Sequence, residues 1–345
     1  MGKTVLVTGG SGYIASWIVK YLLEEGHNVH ATVRSLKSED KVAHLRGLEK
    51  LPGSLTLFEA DLLSEGSFDQ AMKGCEIVMH TASPFFIKGL KDAQKQLIDP
   101  ALKGTRNVLE TVNRHPEVKR VVLTSSVAAI MGDNVDALAK DNQTMDENDW
   151  NRSSSLDHQP YSYSKTVAEE EAWRIAKSQD HWKLVVINPA FVMGPSLSKR
   201  MDGTSVQFVR DLVGGPLKSG VPDLTFGIVD VRDVARAHVL AAFKEDASGR
   251  HILCADTKTF VELADLLRER YGKTLPLPRG QLPGFMVYLI GPFFGLSWGF
   301  LKKNLGVRYN LDHSRSIEDL GIAYRPIADT LCDHVDQLKE AGIVG

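Results

Sequence analysis

Seven short runs of aliphatic and β-branched residues recur along the chain, with stretches of helical spacing between them: TVLVT (4–8), NVHATV (28–33), LTLFE (55–59), EIVMH (76–80), RVVLTS (120–125), KLVVIN (183–188) and HILCA (251–255). Several are apolar almost throughout, which a strand needs only when both of its faces are covered. In the first gap Ile14, Trp17, Ile18, Tyr21 and Leu22 repeat at i, i+3, i+4, i+7 and i+8, the spacing of a helix with one buried stripe. This order of strand and helix predicts an α/β chain built on a parallel, doubly wound sheet with helices on both faces.

The rhythm changes after about Asn188, where proline- and glycine-rich connections separate isolated helices such as Phe260 to Tyr271 and Ala328 to Ala341. The expectation is a Rossmann-type nucleotide-binding domain over residues 1–190, to which 226–256 return. Residues 191–225 and 257–345 form a smaller, mainly helical substrate domain. At 345 residues, 43% of them hydrophobic, the chain is long enough for one large or two moderate cores. Gly280 to Leu301 carries no charge, but Pro283, Pro292 and several glycines deny it the unbroken helix that a lone membrane span requires. It is expected to be buried or to line a cleft, with a peripheral membrane contact as the alternative.

Charge and cysteine usage exclude several classes of function. With 41 Lys+Arg against 43 Asp+Glu there is no basic excess to neutralise nucleic-acid phosphates. Cys75, Cys254 and Cys332 stand far apart, without any CxxC, and the histidines form no HExxH. This fits a reducing compartment and argues against disulfides or a metal site. The chain passes from Met1 into a strand within three residues, which leaves no room for a targeting segment, so a cytoplasmic protein is expected.

The stretch LVTGGSGYIASWIVKYL (6–22) connects the first strand to its helix through glycines. A helix N-terminus offers unsatisfied N–H groups and partial positive charge, so a tight glycine turn leading into one can hold a pyrophosphate. Gly9 permits the turn, Gly12 lets phosphate approach the backbone, and Ala15 is small enough where helix meets strand. NAD sites usually present an acid at the end of the second strand; here HATVRSLKSEDK presents Arg34, with Lys37 and Lys41 close behind. Cations there suit the additional phosphate of NADP(H), the cofactor expected.

QPYSYSKTVAEEEAW holds Tyr161 and Lys165 four residues apart, one helical turn, with Ala168, Ala172 and Ile175 continuing that face inward. A free phenol titrates near ~10 and is a poor acid-base catalyst until a cation stabilises its phenolate. LTSSV places Ser125 and Ser126 at the end of the fifth strand, where a hydroxyl could hold a substrate oxygen. Asn107, in KGTRNVLE, is a neutral polar residue on an otherwise apolar stretch. His238 lies on an apolar helical stripe and reads as a packed core histidine, and His158 as a loop surface residue.

These motifs together resemble the extended short-chain dehydrogenases/reductases, in the branch of dihydroflavonol reductase, cinnamoyl-CoA reductase and yeast-type methylglyoxal or aldehyde reductases. The resemblance runs nearly end to end through TGGSGYIASW, TVRS, EADLL, HTASPF, PALKGTRNVLE, LTSSVAAI, YSYSK, INPAFVMGP and VDVRDVARAH. It implies that Tyr161 donates a proton to the carbonyl oxygen and that Lys165 lowers its pKa and binds the nicotinamide ribose. Ser126, with Ser125 as the fallback, would hydrogen-bond the carbonyl, and Asn107 would anchor a water in the proton relay. Tyr13 and Ile14 join the glycine loop in binding the cofactor, with Asp61 and Leu62 at the adenine. Thr81, Ala82 and Ser83 line the dinucleotide, Pro189 and Val192 sit by the nicotinamide, and Ser205 belongs to the same set.

The reaction expected is NADPH-dependent reduction of an aldehyde or ketone by a monomer or homodimer, with Phe85, Phe86, Met131, Phe191 and Phe226 available to line a pocket for an apolar or aromatic substrate. Sugar-nucleotide epimerases and dehydratases, or hydroxysteroid dehydrogenases, of the same superfamily are the alternatives. Dehydratases usually carry an acid just after the active-site hydroxyl, where this chain has Val127, Ala128 and Ala129. Cinnamoyl-CoA reductases typically carry an Asn-Trp-Tyr-Cys-Tyr-Gly-Lys-like run where this chain reads HQPYSYSK, so reduction of a CoA thioester is not expected. A non-catalytic NADP sensor would generally have lost the Tyr/Lys pair.

Overall fold

The seven apolar runs become the strands of one sheet: β1 (Thr4–Thr8), β2 (Asn28–Val33), β3 (Ser54–Glu59), β4 (Ile77–His80), β5 (Arg120–Thr124), β7 (Lys183–Pro189) and β10 (Gly249–Leu253). This computed structural model describes residues 2–83, 92–198 and 203–344. The strand order is β10-β7-β5-β4-β1-β2-β3 and every pairing is parallel. The chain winds outward from β1 in one direction and from β4 in the other, so a crevice opens at the carboxyl ends of these two strands.

Strand alternation divides the core into two layers. Val5, Val7, Ala31 and Met79 face α1 (Tyr13–Glu24), α2 (Glu39–Arg46) and α7 (Val231–Phe243), whereas Leu6, Val78, Val121 and Leu123 face α3 (Asp69–Met72), α4 (Asp99–Arg114) and α5 (Pro160–Ala176). Ala15 is 2% exposed in the first of these layers, at the close helix–strand contact that required a small residue.

A second, three-stranded sheet has the order β11-β9-β8: β8 (Phe191–Met193) pairs in parallel with β9 (Thr225–Asp230), and β9 antiparallel with β11 (Asp256–Thr259). Its core is closed by α6 (Thr204–Val213), α8 (Phe260–Tyr271) and α11 (Ile327–Glu340). β9 thus belongs to the small sheet, and the chain rejoins the large one only at α7 and β10. A short parallel pair, β6 (Thr144–Met145) and β12 (Asn310–Leu311), joins the two parts of the chain.

The uncharged segment forms two short helices, α9 (Gly284–Ile290) and α10 (Trp298–Asn304). The structure corrects the expectation that it is buried. Val287 and Leu301 are enclosed, but Phe285, Leu289, Phe293, Phe294 and Trp298 are exposed, because helices of seven residues anchored on one side cannot cover their other face. Among the described residues no helix is long and apolar enough to cross a membrane.

Candidate active site

The glycine turn lies at the crevice. Gly9 has φ of 66°, a left-handed conformation that a side chain would strain. A Cβ there would also stand 3.1 Å from that of Ala82. Gly12 is the N-cap of α1 and has no side chain to cap it, so the first-turn N–H groups of Tyr13 and Ile14 remain for an anion. Two neighbouring strands fix the turn. Thr32 of β2 accepts from Gly9 N at 3.2 Å and Gly10 N at 2.8 Å, and the Thr8 hydroxyl accepts from the N–H groups of Thr81 and Ala82 at 3.1 Å each.

Arg34 follows β2 directly, two residues from that Thr32 contact, and like Lys37 and Lys41 it is exposed. An exposed cation after β2 suits a phosphorylated ribose and the uncapped N-terminus of α1 suits a pyrophosphate, so the residues present fit NADP(H). Asp61 turns the chain after β3, its carboxylate accepting from Leu63 N at 2.8 Å.

Tyr161 lies on the first turn of α5, and its phenol makes a side-chain hydrogen bond with Ser126. Ser126 is itself the N-cap of a short helical turn, its Oγ accepting from Ala128 N at 3.1 Å. Burial pushes the phenol well above its ordinary value of 10, and the Ser126 hydrogen bond pulls it partly back. Lys165, 9% exposed, donates to the Thr124 carbonyl at 3.5 Å. Burial lowers its ammonium from 10.5 to about 8, against the opposing charge of Glu169. Lys165 stands one turn beyond Tyr161 on the same helix. A small pocket of about 20 Å³, room for about one water, is lined by His80, Ala82, Ser83, Ser125, Lys165 and Glu169.

Glu169 escaped the sequence reading. Its fully buried carboxylate accepts from Ser125 Oγ at 2.5 Å, Asn188 Nδ2 at 2.8 Å, Arg250 Nε at 2.6 Å and Trp173 Nε1 at 3.2 Å. Asn188 Nδ2 also donates to the Ser126 carbonyl at 3.1 Å, so one carboxylate orients both serines. The signal was available, since Glu169 stands one turn beyond Lys165 on the same helical face. The two serines differ accordingly: Ser125 is tied to Glu169, and Ser126 meets the phenol.

The start of α5 is fixed by a second buried carboxylate. Asp133 accepts from His158 Nε2 at 2.7 Å, Gln159 Nε2 at 2.6 Å, Lys303 Nζ at 3.0 Å and Asn304 Nδ2 at 2.8 Å. Burial would raise its carboxyl, but the bonds from Asn304, His158 and Lys303 hold it below the usual value. Gln159, two residues before Tyr161, has φ of 53°, a conformation costing a non-glycine residue about 1–3 kcal/mol, and its side-chain bonds keep it there. His158 is therefore half-buried and hydrogen-bonded to Asp133 rather than a loop surface residue.

The Asn107 amide donates to the carbonyls of Leu62 and Ser64 at 3.1 and 2.8 Å, so it pins the loop after β3 to α4. Leu62 thus owes its place to Asn107. The Tyr13 hydroxyl donates to the Gly194 carbonyl, and the Ser205 hydroxyl to that of Val192. Both side chains brace the segment after β7, leaving Tyr13 its backbone N–H for the cofactor. Pro189 ends β7 opposite Leu253, and Val192 pairs with Val229.

Phe191 and Phe226 pack with Phe208 and Phe260, centroids 4.9–6.2 Å apart, as partly buried rings against the core of the small sheet. Met131 is 6% exposed, inside the larger core. Phe85 and Phe86 lie outside the described residues. His238 is fully buried as expected, between the Val234 carbonyl at 2.8 Å and Thr124 Oγ1 at 2.6 Å, and burial lowers it to about 4.

A parallel doubly wound sheet with a glycine turn at its crevice and Ser126, Tyr161 and Lys165 at the same ends of the strands defines the short-chain dehydrogenase/reductase class. The chain belongs to the NAD dependent epimerase/dehydratase family, whose model matches residues 5–255. Cinnamoyl-CoA reductase CAD2 of Medicago truncatula is 39% identical to it over 346 residues, covering 99% of this chain and 97% of its own. Anthocyanidin reductase of Arabidopsis thaliana is 37% identical over 79% of this chain and 81% of its own. The crystal structure of yeast methylglyoxal/isovaleraldehyde reductase Gre2 complexed with NADPH aligns with a TM-score of 0.80 and 28% identity, over 99% of this chain and all of the yeast one. The branch implied by the sequence motifs is the one to which these relatives belong.

Proposed function

We propose that this protein is an NADPH-dependent reductase of aldehydes and ketones, dihydroflavonol reductase-like, in which Tyr161 is the proton donor. Its relatives are reductases, and the neighbouring yeast structure holds NADPH. The enzyme is an oxidoreductase of carbonyl and CH–OH groups that uses NADP(H) and acts on a small carbonyl compound. The observation that carries the assignment of roles is the Ser126–Tyr161 hydrogen bond one helical turn from the Lys165 ammonium.

NADPH, when bound, supplies the hydride that goes to the carbonyl carbon. Ser126 holds the carbonyl oxygen, and Tyr161 passes its proton to that oxygen as negative charge builds there. A phenol kept protonated by burial suits this direction, because the alkoxide formed is a far stronger base than the phenolate left behind. Lys165, predominantly charged at neutral pH, stabilises that phenolate and reaches the nicotinamide ribose. The phenolate then recovers a proton from solvent.

The large sheet, with residues 1–190 and the returning segment, takes the cofactor in this reading. Residues 191–225 and 257–345 take an apolar or aromatic substrate. The enzyme works in the cytoplasm as a monomer or homodimer. The test is NADPH oxidation over a panel of aldehydes, diketones, flavanonols, steroid ketones, one CoA thioester and one nucleotide-sugar. Tyr161→Phe is expected to lower turnover by roughly 10²–10⁴-fold while NADPH binding stays near normal. Undiminished turnover would remove Tyr161 from the chemistry. Conversion of only the nucleotide-sugar, without net NADPH consumption, would overturn the reductase assignment.

A further inference from the structure

We propose that the α9–α10 hairpin is a docking surface for membranes containing anionic lipid. Phe285 is 75% exposed, Leu289 71%, Phe293 88%, Phe294 70% and Trp298 69%, all within fourteen consecutive positions. Aromatic side chains bring about 150–250 Å² each, so this patch is on the order of 600 Å², at the upper limit of what monomers leave open without a partner.

The hairpin presents these rings as a stiff wedge. Trp298 Nε1 donates to the Tyr288 carbonyl at 3.0 Å and ties the two helices together, while Val287 and Leu301 are enclosed beneath them. Asn304 accepts from Asn134 N at 2.8 Å and donates to Asp133, which anchors the base to the body of the protein. The rings therefore cannot fold inward to find a core.

Charge selects the occupant. No acidic residue occurs between Glu269 and Asp312, whereas six basic ones do. Arg270, Lys303 and Arg308 are paired with Asp336, Asp133 and Glu262, which leaves Lys273, Arg279 and Lys302 outside the ion pairs of the described residues. Exposed rings with Lys302 and two further unpaired cations in the same stretch match the boundary between acyl chains and anionic headgroups. A second copy is a poorer match, because a two-fold contact through this face would bring its own cations together. The helices are too short to span, so the hairpin lies at the surface of the bilayer.

The test is co-sedimentation of the full-length protein with vesicles of phosphatidylcholine alone and of phosphatidylcholine with phosphatidylserine. Binding is expected to the second kind, to weaken with added salt, and to fall about tenfold for each ring removed in Phe285→Ser and Phe293→Ser. Both residues are exposed, so thermal melting and turnover of a water-soluble aldehyde are expected to stay at wild-type levels and report that the variants fold. Equal sedimentation of wild type and the double variant with anionic vesicles would overturn the proposal. So would a wild-type dimer, dissociated by the double variant, that does not bind either vesicle.

Discussion

Replacing Lys165 with Met is expected to make the protein more stable and catalytically dead. The ammonium is 9% exposed and its value falls from 10.5 to about 8. At about 1.4 kcal/mol per tenfold in proton affinity, the protonated lysine costs the folded state about 3 kcal/mol. Between pH 8 and 10.5 the unfolded chain binds the additional proton, so stability of the wild type rises across that window; below pH 8 both states are protonated and the full cost is present. Methionine matches the stem of lysine without its charge, and Glu169 keeps Arg250 as its ion-pair partner, so the buried carboxylate is not stranded. A gain of about 1–3 kcal/mol is expected at pH 7 from urea unfolding, shrinking as the pH approaches 10.5. Turnover with NADPH is expected to be lost. A lower urea midpoint for Lys165→Met at pH 7, or a stability difference that ignores pH, would refute the reasoning.

Arg34→Ser is expected to raise the KM for NADPH about tenfold or more, the value of a charge-assisted phosphate contact, and to leave that for NADH nearly unchanged; initial rates with both cofactors check it. Glu169→Ala removes the partner of the buried Arg250 guanidinium and is expected to cost about 3–5 kcal/mol in urea unfolding. It should also shift the alkaline limb of the pH–rate profile to lower pH, since the Glu169 charge supports the protonated form of Lys165.

Where burial and local periodicity agree, the sequence was sufficient. TVLVT, NVHATV and the helix Phe260–Tyr271 have the expected bounds, because continuous apolar runs and single-stripe helices admit few other placements. The small sheet was not legible. β8 has three residues and β11 reads DTKT, so neither shows the apolar signal of a strand, and both are held by partners distant in the chain. The glycine turn and the Tyr161–Lys165 spacing were visible because their geometry is local. Glu169 was hidden in the acidic run 169–171, which composition alone assigns to solvent. The loop contacts of Asn107 were not legible, because polarity on a buried helix face says that a side chain has a partner, not which one. The α9–α10 segment misled for the opposite reason: apolar character predicts removal from water, and nothing in the sequence tells which surface performs it.

The shared anchorage at Asp133 has a consequence for how the enzyme matures on the ribosome. The helix that carries the phenol is synthesised early, but two of the side chains that clamp its entrance, Lys303 and Asn304, arrive 170 and 171 positions after Asp133. A nascent chain can complete its nucleotide crevice while Tyr161, the proposed proton donor, still lacks its final seat. Competence for chemistry is thus acquired last, when the C-terminal third emerges and closes the latch.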